Sequence, residues 1–152
     1  MRPTRRLRVE FAKTREHDAA RAVDALARRF GGAVPSLLLL FASPDSDLDA
    51  LGEAISDRFP GPVLACTTAG EINAEEGYAT GEIVAAAVWS PELNVRTVFV
   101  ASLADFTADP DPKALRGLGQ PDPGRAFALL VVDGLSKREE IVVEKIHSRL
   151  RG

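Results

Sequence analysis

The chain has 152 residues, 45% of them hydrophobic and 27% charged, with a net charge of −3. That is one domain by length, with ample apolar material for a core. The charge offers no broad field to nucleic acid. A single cysteine excludes an internal disulfide and a Cys-X-X-Cys zinc site.

No apolar run approaches the roughly 20 residues of a membrane helix. Arg2, Arg5, Arg6 and Arg8 give a basic start, but no apolar stretch of signal-peptide type follows them. The expectation is therefore a cytoplasmic protein in a reducing compartment, with no nucleic-acid or membrane partner.

Residues 7-LRVEFA-12 alternate apolar and polar, which predicts a strand with one buried face. In 16–30, Ala19, Val23, Leu26 and Phe30 recur at helical spacing, and Gly31-Gly32 ends the helix. The continuous run 37-LLLLFA-42 predicts a strand covered on both faces. The segment 43-SPDSD-47 offers N-cap residues for a second helix carrying Leu48, Leu51, Ile55 and Phe59, which Pro60-Gly61-Pro62 stops. A short buried strand, 63-VLAC-66, follows.

The chain then turns β-rich. Residues 78–90 and 93–102, joined by Pro91-Glu92, predict an antiparallel hairpin or meander. Residues 104–124 are rich in Pro, Asp and Gly and predict a loop with one helical turn near 113–118. The run 126-AFALLVVD-133 predicts another buried strand. It leads through Gly134-Leu135 into a helix over 136–150, with Ser136 and Glu139 spaced as a capping box.

The whole reads as α/β: a mixed sheet with a parallel β-α-β-α-β core, an antiparallel hairpin insertion and a final β-α unit. No repeat or low-complexity tract is present. The closing helix would ordinarily feed a further strand. The expectation is a single α/β domain over 1–152 that forms the N-terminal half of a longer architecture.

In open α/β sheets, ligands sit beyond the carboxyl ends of the strands. Three such ends are polar here: 41-FASPD-45, 66-CTTAGE-71 and 133-DGLS-136. In the second, Thr67, Thr68, Ala69 and Gly70 are small enough to expose backbone N–H groups to a carboxylate, with Glu71 beside them. Tight packing and local threonine hydrogen bonds explain the same residues, so both readings stay open. Asp133, with Gly134 and Ser136, is either a pocket carboxylate or part of a well-capped turn. Tyr78 is a pocket wall with a hydroxyl handle, or a strand-edge aromatic.

Cys66 as a nucleophile needs a base or cation to hold its thiolate. The two histidines, His17 and His147, fall in predicted helices that the topology places far from the strand carboxyl ends, so Cys66 reads as a small packing residue. Glu75-Glu76 reads as a solvated turn, and no metal-ligand spacing, GxGxxG, Walker A, GxSxG or HExxH is present. No catalytic residue and no metal is expected.

Three blocks carry a family resemblance: 39-LLFASPDSDLDALGEAISDRFPGPVLACTTAGEI-72, 77-GYATGEIVAAAV-88 and 131-VVDGLSKREE-140. In order and spacing they resemble the N-terminal part of the FIST sensory domain, a mainly prokaryotic family. The resemblance implies an intracellular signal-transduction input module that binds a small ligand, such as an amino acid. It also implies a C-terminal FIST half or a signalling output domain as partner. The motif positions carried over are Cys66–Glu71 and Asp133–Ser136, without assigned chemical roles. One branch of the family binds haem to sense nitric oxide. That makes haem, with His17 or His147 as axial ligand, the alternative to a module without a cofactor, and a Cys66 enzyme a further one.

Overall fold

The alternating stretch at the start of the chain forms β1 (Arg8–Thr14), followed by α1 (Ala19–Arg29), β2 (Leu37–Ala42), α2 (Leu48–Arg58) and β3 (Val63–Thr67). These belong to a computed structural model that describes residues 7–73, 77–109, 112–119, 122 and 124–151. The arginines at 2, 5 and 6 and the Glu75-Glu76 turn lie outside the described residues. Asp18 caps α1 by accepting from the Arg21 N–H, and Asp47 caps α2 by accepting from Ala50. Past the end of α1, Gly31 (φ 69°) and Gly32 (φ 73°) take the left-handed conformation that stops it.

Beyond β3 lie two short strands, β4 (Glu71–Asn73) and β5 (Gly77–Ala79), and then β6 (Ile83–Trp89). The main sheet has the order β1-β6-β2-β3. β2 and β3 are parallel, while β6 runs antiparallel to both β1 and β2. β4 and β5 form a separate antiparallel ribbon.

The architecture is thus α/β with a mixed sheet, but several expectations need correction. The run 78–90 is broken at Gly81 (φ 74°), and its longer part pairs with β1 and β2 rather than with 93–102, which forms no strand. Ala85 and Ala87, both 0% exposed, explain the choice: these small residues let the helices approach the middle of the sheet.

The crossovers β1-α1-β2 and β2-α2-β3 advance the same way across the sheet, so helices of one hand land on one face. One core therefore joins Val23 and Leu26 of α1, Ile55 of α2 and the inward row Leu38, Leu40, Ala42 and Ile83. β2 is accordingly not buried evenly on both faces: Leu37, Leu39 and Phe41 on the other row are only partly buried. Phe30, Phe59 and Trp89 close the far end, with ring centroids of Phe30 6.4 Å from Phe59 and 6.0 Å from Trp89.

The chain divides into two units, Met1–Val95 and Arg96–Gly152. The second has helices α3 (Leu103–Ala108), α4 (Lys113–Arg116) and α5 (Glu139–Arg151). Its small core is Phe106, Leu115 and Val142, with Val100, Leu103 and Ile146 against them. α4 lies where one helical turn was expected. α3 was not foreseen, and its start is explained by Ser102, whose hydroxyl accepts from the Asp105 N–H.

The expected strand 126–133 carries no ladder, and Phe127 and Leu129 are exposed. Local β propensity is not enough where no neighbouring strand supplies a ladder. The capping box is absent too: α5 begins at Glu139, and the Ser136 hydroxyl is buried with no hydrogen-bond partner among the described residues. Lys137 at φ 53° interrupts the helical path between Ser136 and Glu139.

Candidate functional site

The sheet register brings the ends of β1, β2 and β3 to one edge. Ile83, the first residue of β6, pairs with both Thr14 and Ala42, and Ala42 pairs with Thr67. The Thr68 N–H continues the ladder by donating to the Ala42 carbonyl at 3.0 Å. The loops after β2 and β3 therefore converge, as the topology predicted.

Side-chain alternation carries the pattern past the last rung. Cys66, Phe41, Val84 and Lys13 form one row across the face away from α1 and α2, by register. The next row is Thr68, Ser43, Glu82 and Arg15, so an apolar face changes to a polar one at its edge. Ser43 is 7% exposed, Glu71 3% and Glu82 1%.

These polar groups are linked. Thr68 Oγ1 donates to Glu71 Oε1 at 2.7 Å, and the Glu82 N–H donates to Glu71 Oε2 at 3.4 Å. Arg15 Nε donates to Glu82 Oε1 at 2.7 Å, while Lys13 Nζ lies 3.8 Å from the same oxygen. Glu82 thus faces two cations, as buried charge requires, while Glu71 accepts from a hydroxyl and a backbone N–H.

Tyr78, on β5, folds back over the turn after β3. Its hydroxyl donates to the Ala69 carbonyl at 3.3 Å. A Cβ on Gly70 would overlap the tyrosine ring, so glycine is what lets the ring lie there. Thr67 and Ala69 are exposed; Thr68 and Gly70 are partly buried. Thus Thr68, Ala69, Gly70, Glu71 and Tyr78 come together in the first unit. Not every N–H of the turn faces outward as expected, since that of Thr68 is held in the ladder.

Cys66 is partly buried, and burial pushes its thiol above the ordinary value. It should therefore react with iodoacetamide more slowly at neutral pH than a free thiol. The rate should climb only at a pH above that at which small-molecule thiols ionise. A rate at pH 7 matching or exceeding glutathione's would contradict this burial.

His17 corrects an expectation. It precedes the Asp18 cap of α1, outside the helix, on the segment leaving the carboxyl end of β1. A helix that follows a strand starts at that strand's carboxyl end, so chain order sets His17 towards the site edge, and it is exposed.

Asp133, Gly134 and Ser136 belong to the second unit. Asp133 does not end a strand. Its Oδ1 accepts from the Leu135 N–H at 2.9 Å and its carbonyl from the Ser136 N–H at 3.0 Å, a compact Asx turn.

Lys13, Arg15 and Glu82 were not anticipated, and Ser43 was included only as part of the polar strand end 41–45. The signal existed: Lys13 and Arg15 continue the period of β1, and Glu82 stands just before the apolar run of β6. It becomes informative only once β1 and β6 are known to be partners.

Among the described residues, no three of His, Cys, Asp and Glu gather as a metal site, and no helix is long and apolar enough to cross a membrane. Two surface cavities, about 430 and 530 Å³, lie along α2, the first between Ile55, Phe59, Val63 and Ala65. Neither is lined by the polar row. The family model for the FIST N domain matches residues 36–152. A comparison with curated proteins gives no match.

Proposed function

The chain belongs to the FIST N-domain family of signal-transduction sensory domains, and from that premise we propose a cytoplasmic input module that binds a small polar ligand, an amino acid, at the carboxyl-end edge of its sheet. The observation that carries this reading is the polar row directly beside the Thr67–Gly70 turn, in which Ser43 and Glu82 are buried, Thr68 is partly buried and Arg15 is exposed.

The N–H groups of Ala69 and Gly70 would take the ligand carboxylate, and Tyr78 would wall it in. Asp133 is the less suitable counter-charge, since its carboxylate already holds its own turn. Binding would bias how the module engages a C-terminal half or an output partner. It would do so as a binding module, without catalysis.

The test is a thermal-shift screen of the folded chain with the amino acids and small organic acids. A saturating rise in Tm is expected for at least one amino acid and should weaken in Gly70→Ala. Folded protein that shifts with none of them would sink the reading.

A further inference from the structure

We propose that Glu82 is the cation-recognising group of this site, taking an ammonium or guanidinium, and that the Arg15 guanidinium is its resident, displaceable counter-ion. The inference rests on the site reading above and names the missing half of its ligand chemistry.

Three observations carry it. The Glu82 side chain is 1% exposed, fixed at the start of β6 between the ends of β1 and β2. Its Oε1 is held by Arg15, but its Oε2 is buried with no hydrogen-bond partner among the described residues. A buried carboxylate oxygen without a donor is costly, and such groups mark places where a further group binds. Finally, the Arg15 side chain is 68% exposed.

The pair is therefore asymmetric. The anion cannot reach water; the cation is mostly in it already. Removing Arg15 from Glu82 returns an exposed guanidinium to water but costs the buried carboxylate its short charged partner, leaving the Lys13 ammonium at 3.8 Å. An incoming cation removes that cost by taking Arg15's place, and it can also supply a donor to Oε2. The neighbouring chain Thr68–Glu71–Glu82 ties this position to the glycine turn through two hydrogen bonds. An α-amino acid has its carboxylate and ammonium on one carbon, so the adjoining turn and the buried carboxylate suit its two ends.

An internal ligand competes with an external one, and apparent affinity falls by the fraction of time the site is vacant. The test is calorimetric titration of methylguanidinium chloride into the full chain, Arg15→Ala, Glu82→Gln and the double variant. Arg15→Ala should bind at least about tenfold more tightly than the unaltered chain, and its Tm should rise with methylguanidinium. Both effects should vanish in the double variant.

Arg15→Ala binding no better than the unaltered chain would overturn the proposal. So would binding that survives Glu82→Gln; the Arg15→Ala arm decides alone if that variant fails to fold. Amino acids that bind the chain and Glu82→Gln equally would overturn this inference while leaving the proposed function standing. Folded protein that binds neither an amino acid nor methylguanidinium in any variant would remove both.

Discussion

Phe30→Ala should destabilise the first unit by about 3–5 kcal/mol, the cost of emptying a large aromatic site that cannot collapse. Phe30 is 2% exposed and terminates α1. Its ring meets Phe59 at the end of α2 and Trp89 at the end of β6, both edge-to-face. One side chain therefore fastens both helices to the sheet, and the left-handed Gly31-Gly32 pair fixes its direction. With domain stabilities of about 5–15 kcal/mol, such a loss removes a large share of the total. Trp89 is the only tryptophan, so urea unfolding followed by its fluorescence reports on this unit. Phe30→Leu, which keeps most of the volume, should cost under about 2 kcal/mol. A loss under about 1 kcal/mol in the alanine variant would show that α1 and α2 do not depend on this aromatic contact.

The elements around that contact were legible because each rests on a local signal. Helical spacing from Ala19 to Phe30, the Asp18 and Asp47 caps and the Gly31-Gly32 stop act within a few residues. Pairing is not local. Nothing near β6 in sequence says that its partners are β1 and β2, more than 40 residues away in each case. The prior that neighbours in sequence pair favoured 93–102 instead. The run 126–133 failed for the same reason: its β propensity is real, but a ladder needs a second strand.

The site divides in the same way. The Thr67–Gly70 turn was legible because small residues after a strand are a local pattern. Its partner Tyr78 was legible only as an aromatic near a turn. That its ring lies on Gly70 follows from the β4–β5 ribbon folding back, which brings Tyr78 opposite Ile72. Arg15 and Glu82 were not legible, because an ion pair spanning 67 residues depends on the register of β1 against β6. The asymmetry between a buried anion and an exposed cation is a property of the assembled sheet.

Glu71 shows how the fold and the site share parts. It is the one buried side chain among the described residues of the β4–β5 ribbon; Ile72 and Tyr78 are 78% and 67% exposed. A lone two-stranded ribbon is marginal in water, so this one depends on its anchor. One Glu71 oxygen accepts from Thr68 Oγ1 and the other from the Glu82 N–H. Glu71→Ala loses both bonds and strands a buried N–H, so a cost of about 2–3 kcal/mol is expected. Glu71→Gln has only one acceptor oxygen and should cost about half as much. If the ribbon opens on its own, amide exchange at Tyr78 and Ala79 should accelerate by about thirtyfold in the alanine variant, the factor that 2 kcal/mol implies. Exchange in the β1–β6 ladder should change less. The ribbon carries Tyr78, so the same variant should weaken any amino acid that binds over Gly70, even though Glu71 need not touch it. Faster exchange with unchanged ligand affinity would separate the anchor from the site; unchanged exchange would show that the ribbon is held by something other than Glu71.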